Sequence, residues 1–398
     1  MIKIEKIEGV PLESYDIEIV ERKGLGHPDT ICDLLAEKIS YKLSKTYTNL
    51  TGRVLHHNID KILLSAGKTE KRFGGGQFLK PIKIFVGDRA TYFYGDIEIP
   101  VKKLVISSVN EWLKKNIRNL DIKNIETNIL LSEGSEELTS IFETKKNLLP
   151  SNDTSVGIGY YPLTSLENIT LQLEKFLNSN DFKKVHPYTG EDVKVMSLRD
   201  KNDLHITIAM PFISKYVKDE KHYFKLKDSV YKDIQKFLTK NWEKGKVKII
   251  FNALDKEKAG LNGVYLTLSG TSAEDADSGE VGRGNRANGL ISFMRPLGSE
   301  AVAGKNPVSH IGKIYNLFAF YLAEKIYKNF ENLKEVYVYL LSKIGSPINK
   351  PQCIYIKVLT EKNLSKNFYQ KINSLAQREF HNIDTFCKKI ISGKISIK

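Results

Sequence analysis

The hexapeptide Gly24-Leu-Gly-His-Pro-Asp29 puts two glycines, a histidine and a carboxylate where a strand pattern gives way to a helix pattern. Glycines allow a sharp turn, and Pro28 suits the first position of a helix. The N–H groups free at such a helix start favour an anion. His27 could donate a hydrogen bond to a departing phosphate oxygen, and Asp29 could hold Mg²⁺. The same residues also permit a structural reading, with Asp29 or Thr30 capping the helix and His27 partly buried in a loop.

A second concentration runs from Gly270 to Gly289. It mixes Glu274, Asp275, Asp277 and Glu280 with Arg283 and Arg286 among five glycines. Arginine grips phosphate oxygens in a fork, and carboxylates suit a metal or a cationic amine. An exposed loop without chemistry is the alternative. Two motif matches fail within it. Gly282-Arg-Gly-Asn-Arg-Ala fits a dinucleotide fingerprint but lies too far from the preceding strand and lacks the later acidic residue. Asp275-Ala-Asp-Ser-Gly starts like an EF-hand loop, yet the glycine position is Glu280 and the bidentate Glu position is Arg286.

Three smaller clusters follow the same theme. Lys305, His310 and Lys313 surround a helix start and suit a phosphate chain, although no P-loop motif is present. Asp192 and Lys194 are two apart and on a strand would share a face, for a site or for a surface ion pair. In His56-His57-Asn-Ile-Asp60, adjacent strand residues face opposite ways, so at most one histidine can serve a given site. No Ser or Cys nucleophile stands beside a base in these stretches. They point to polyphosphate chemistry without a covalent enzyme intermediate.

The elements that must position these groups are legible as periodicity. Strands are expected over 14–21, 54–64, 82–86, 204–210, 247–252, 264–269, 336–341 and Cys353–Leu359, with an edge-strand pattern over 1–8. Helices are expected over 30–47, Val101–Asn116, Ser165–Leu177, 227–242, 313–330 and 368–391. Strands and helices mix without strict alternation, which favours an α+β fold with helices on one sheet face. The 398 residues allow two or three domains.

With 41% hydrophobic residues and no run of 18 apolar residues, the composition is that of a soluble globular chain rather than a membrane-spanning one. Three cysteines in no metal-type spacing indicate neither a disulfide framework nor a zinc site, and a reducing cytoplasm is the simplest setting. The formal net charge of +14 comes from scattered lysines, not a basic stripe interleaved with aromatics, so no specific nucleic-acid site is signalled.

Together the blocks 21–33, 56–60, 152–160, 190–196, 270–274, 281–289 and 303–316 resemble the archaeal-type methionine adenosyltransferase (S-adenosylmethionine synthetase) family, in the expected order from about residue 15 to 350. The resemblance implies three similar α+β domains of mixed or antiparallel sheet, placed approximately at 1–130, 131–270 and 271–398 and possibly interleaved. It also implies a homodimer or dimer of dimers with active sites at the interface. The implied reaction converts ATP, L-methionine and water into S-adenosylmethionine, pyrophosphate and phosphate, with Mg²⁺ and K⁺.

By residue, the resemblance makes His27 the partner of the departing triphosphate and Asp29 a Mg²⁺ ligand. Lys194, Arg283 and Lys305 become its basic cradle. Asp277 would lie near the methionine amine and the adenosine, and Asp192 near the ribose. His57 joins the substrate-binding set, and 132–137, with Glu133, Gly134 and Ser135, would contact ATP. Glu137 departs from the aspartate more often found there, and the 275–279 run also differs slightly from the family's usual form. The competing readings are another Mg-ATP-dependent transferase and a basic nucleic-acid-binding protein. No membrane partner is expected.

Overall fold

Charge alternating with Ile at the start of the chain produces the expected edge strand: Ile2–Ile7 runs parallel to Cys353–Leu359. The computed structural model describes residues 1–135, 142, 149–395 and 397. Three mixed sheets carry the architecture. In the first, the order is Val247–Phe251, Asp203–Ala209, Lys194–Asp200, Ile17–Lys23 and Ile291–Ser292. The second runs Ile125–Ser132, Ile82–Ala90, His57–Ser65, Gly279–Glu280, and the third Ile2–Ile7, Cys353–Leu359, Glu335–Leu341, Val156–Tyr161.

Pairing sense repeats in all three. The first-named strand is parallel to its neighbour and each later pair is antiparallel. The chain also repeats a unit of helix, two hairpin strands, helix and parallel edge strand. Helices α1 (Pro28–Thr51) and α2 (Val101–Asn116) serve the second sheet. The first has α3 (Ser165–Leu177), a short α4 (Asn180–Val185) and α5 (Glu220–Asn241). On the third sit α6 (Ile311–Asn329), α7 (Lys366–His381) and α8 (Ile383–Ile391), with the parallel edge strand supplied by the chain's start. This is the expected α+β architecture with three similar units.

Each sheet buries one face in its own core. Ile31, Leu35, Ile39 and Leu43 recur every four residues along α1 and meet Ile59, Ile62 and Ile84. The other cores centre on Val195, Ile206 and Ile234, and on Ile314, Val338 and Ile356. Helix α5 begins seven residues before the expected 227, because Asp219 caps it by accepting from the His222 N–H. The expected single helix over 368–391 breaks at Asn382. Of 264–269 only Leu266–Thr267 is strand. The strands Ile125–Ser132, Val156–Tyr161 and Lys194–Asp200 carry weaker apolar alternation and were not expected.

Candidate active site

The loop at Gly24 is held by backbone before any side chain acts. Gly24 N–H donates to Val193 O at 2.7 Å and Gly26 N–H to Glu191 O at 2.9 Å. A Cβ on Gly26 would stand 2.5 Å from the Asp192 nitrogen, so a close approach of the two loops requires glycine there. Thr271 Oγ1 donates to Gly26 O, which brings in the third loop.

His27 is the N-cap of α1. Its Nδ1 accepts from the Asp29 N–H at 3.2 Å, while Pro28 takes the first helical position. Burial pushes its pKa down to about 4 against the opposing pull of Asp29, with Lys23 and Lys194 adding to the depression. The imidazole is therefore neutral above that range. With Nδ1 accepting, the proton resides on Nε2. The cap is His27 itself and not Asp29 or Thr30, and it engages one ring nitrogen only, so the other is left to donate.

Asp29 is also enclosed. Its Oδ2 lies 2.8 Å from Lys23 Nζ, and Oδ1 accepts from the Glu280 N–H at 2.9 Å. One turn on, Asp33 accepts from the Gly282 N–H at 2.9 Å, and burial raises its pKa to about 7. Two carboxylates on one face of α1 thus hang the 279–284 segment from the helix. Arg283 sits on that segment with an exposed side chain, its carbonyl accepting from Lys23 Nζ at 2.7 Å.

Asp192 precedes the strand Lys194–Asp200 instead of lying on it. It is buried, and its Oδ2 accepts from Ser272 N–H and Oγ–H. Burial raises its pKa to about 6, and Asp277 adds to the rise. Asp277 itself is exposed, close enough to act electrostatically on Asp192 and on Tyr265. Lys194 Nζ is 3.3 Å from Glu21 Oε1 and its side chain is 43% exposed, so it is available to a ligand. His27, Asp29, Asp192, Lys194, Asp277 and the Arg283 segment therefore form one cluster between the first and second sheets.

Lys305 belongs to another. Its Nζ pairs with Glu300 and lies 3.5 Å from Asp60 Oδ2. A bulge between Asn58 and Lys61 brings Asp60 beside Asp88, which holds a left-handed φ of 93°. Burial and the neighbouring Asp60 raise the Asp88 pKa to about 6. His57 is buried, with Nε2 2.9 Å from Ser40 Oγ and Nδ1 3.1 Å from Leu55 O. It meets the site through Asn306 and Ser40, which seat the Lys305 turn. In this Ser–His pair the serine hydroxyl donates to the Lys305 carbonyl, so it holds the turn instead of serving as a nucleophile.

Glu133 and Gly134 follow Ser132, which registers with Arg89 and so with Asn58, at the same end of the second sheet. Ser135 continues that segment. Glu136 and Glu137 lie outside the described residues. Glu37, which accepts from Gly304 N–H and pairs with Lys313, is eight residues beyond Asp29 on α1, about 12 Å along the axis. The candidates thus fall into two clusters at two levels of one helix.

The motif reading passed over Lys23, Asp33, Glu174, Ser272 and Glu300. For Glu174 a signal exists: it falls in the apolar stripe Leu166, Ile169, Thr170, Leu173, Leu177 of α3, where a carboxylate needs a buried partner.

Oxygen-donor carboxylates fit Mg²⁺, but among the described residues no three His, Cys, Asp or Glu side chains converge as a metal cage. A divalent ion would use one or two carboxylates and complete its shell with phosphate oxygens and water. Asp29, with a single cation, Lys23, beside one of its oxygens, fits that role. Asp60 is flanked by Lys61 and Lys305 and fits less well.

Repeated mixed sheets with cationic and carboxylate loops between them define a class of polyphosphate-handling α+β enzyme. Comparison with known proteins makes this specific. The family model for S-adenosylmethionine synthetase (AdoMet synthetase) matches residues 1–394. A probable S-adenosylmethionine synthase of Aquifex aeolicus is 44% identical, with 97% of each chain covered. The S-adenosylmethionine synthase of Pyrobaculum neutrophilum is 42% identical over the whole of both chains. In fold, an unusual S-adenosylmethionine synthetase from Campylobacter jejuni superposes with a TM-score of 0.62 over 93% of this chain and 90% of its own, at 15% identity. The chain belongs to the S-adenosylmethionine synthetase family. Among the described residues no helix is long and apolar enough to cross a membrane.

Proposed function

We propose that the cluster around His27 is where methionine sulfur attacks C5′ of ATP, forming the S–C5′ bond of S-adenosylmethionine as the C5′–O bond to triphosphate breaks, and where the released triphosphate is then hydrolysed to pyrophosphate and phosphate. The observation that carries this reading is the neutral His27 at the start of α1, its Nδ1 engaged and its Nε2–H free to donate, beside Lys23 and Lys194. Thioether sulfur is a neutral nucleophile that needs no general base. The demand falls on alignment with C5′ and on the roughly four negative charges of the leaving group.

Nε2–H of His27 would meet the departing oxygen, and Lys194 and Arg283 would spread along the phosphates. Asp192, fixed by Ser272, would face the ribose, and Asp277 the methionine amine. Mg²⁺ held by Asp29 and the phosphates would supply further charge neutralisation. The test is incubation with ATP, methionine and Mg²⁺, with K⁺ exchanged for Na⁺ in a second arm. S-adenosylmethionine, pyrophosphate and phosphate should appear together, with less product in the Na⁺ arm. ATP consumption without a sulfonium product would sink the assignment.

Lys305, on the turn that His57 seats, would complete the site from a second copy of the chain together with Glu133, Gly134 and Ser135. The separation of the two clusters supports this arrangement. Inactive His27→Asn and Lys305→Ala proteins should then regain activity when mixed under exchange conditions. Random pairing leaves about a quarter of the sites with both native groups. No recovery in a demonstrably mixed dimer would place both clusters in one chain's site.

A further inference from the structure

The three loops that meet at His27 share a partner that none of them contains. Glu174 lies on α3 and is buried. Its Oε1 accepts from the Leu25 N–H at 3.3 Å, one residue from the Gly24 turn. Its Oε2 lies 2.6 Å from Arg22 Nε, and that guanidinium donates from Nη1 to Gly289 O at the end of the Arg283 segment. Oε1 also accepts from Asn178 Nδ2 at 2.7 Å, and the same amide donates to Glu191 O at 3.1 Å, next to Asp192. Through one carboxylate, the histidine loop, the arginine loop and the aspartate–lysine loop are tied to the same point of one rigid helix.

We infer that Glu174 is a positioning residue that sets the mutual register of these three loops. The inference rests on the function proposed above. Three donors converge on its two oxygens, and a buried carboxylate with this set is satisfied only when all three loops sit at the observed height. Catalysis by alignment is sensitive to displacements of about 1 Å, which can cost about 10²-fold. A glutamine at 174 keeps the shape but turns an amide donor toward one of the three donors, so at least one tie is lost.

The test uses the full chain, assayed for S-adenosylmethionine well below its melting midpoint. Glu174→Gln should lower kcat by about 10²-fold with KM for ATP moved less than about threefold, because ordering and not contact is lost. Asn178→Ala removes one tie and should lower kcat by about tenfold with an unchanged melting midpoint. It also serves should Glu174→Gln fail to fold. The double variant should be no slower than Glu174→Gln by more than about twofold, since both act through one unit. A folded Glu174→Gln with near-native kcat, an Asn178→Ala with native kcat, or losses that multiply in the double variant would overturn the inference. If wild-type protein makes no sulfonium product, the proposed function fails instead.

Discussion

His27→Asn should slow S-adenosylmethionine formation by about 10²- to 10³-fold while leaving the fold intact, the loss typical when one donor to a developing anion is removed. The two nitrogens of the ring do separate jobs, and the substitution separates them. Nδ1 caps α1 by accepting from the Asp29 N–H. Asparagine is among the best capping residues, so the helix start survives. What disappears is the Nε2–H, which a shorter amide cannot present at the same point. Far-UV circular dichroism and the melting midpoint should stay near native while kcat falls. A variant with more than about a tenth of native kcat would remove His27 from the chemistry.

The pH behaviour follows from the same environment. With its folded pKa lowered to about 4, His27 does not change charge near 6.5, so its protonation sets no step there in the rate profile. Stability behaves differently. A depressed histidine pKa means the unfolded chain binds the proton first, so this contribution is present above about 6.5 and is lost as pH falls through about 4. His27→Asn removes that acid penalty, and the variant should lose less stability between these values than the native protein.

The largest expected stability effect lies elsewhere, at Arg295. Its fully buried side chain joins Glu167 at 3.2 Å and Glu335 at 3.0 Å. It also donates to Pro162 O and Tyr337 Oη, and lies 4.5 Å from the centre of the Tyr160 ring. One guanidinium thus links α3, the strand Glu335–Leu341 and the segment after Ile291–Ser292, between the first and third sheets. Arg295→Met should cost about 3–5 kcal/mol, because two carboxylates are left buried without their cation. The urea midpoint reads this directly. Adding Glu335→Gln should recover part of it, since one stranded charge is then gone. A loss below about 1 kcal/mol would mean water or another cation reaches the pair.

Arg295 also marks where sequence reading ended. Nothing in its spacing distinguishes it from Arg283 or Arg286, yet it is fully buried and Arg283 is exposed. Helices with a strong apolar stripe, such as Val101–Asn116 and Ser165–Leu177, were readable to the residue, because period and core coincide. The strand Lys194–Asp200 was not, and because Asp192 stands before it, the shared face that strand spacing would give Asp192 and Lys194 does not arise. Pairing partners are still less legible. Ile17–Lys23 lies beside Lys194–Asp200, and Ile2–Ile7 beside Cys353–Leu359, because hydrogen bonds between strands carry no side-chain signature.

By itself the sequence determined the family, the α+β class and the residue types of the candidate site, since these depend on local chemistry and on ordered motifs. Only the tertiary structure decided that His27 caps with one nitrogen and carries its proton on the other. It alone placed Lys305 in a second cluster, gave His57 to the turn beneath it, and made Glu174 the common anchor of three loops. Each of these depends on burial and on contacts between segments up to 267 residues apart. Desolvation and distance set a group's charge and its partners, and neither is written in the spacing of residues along the chain.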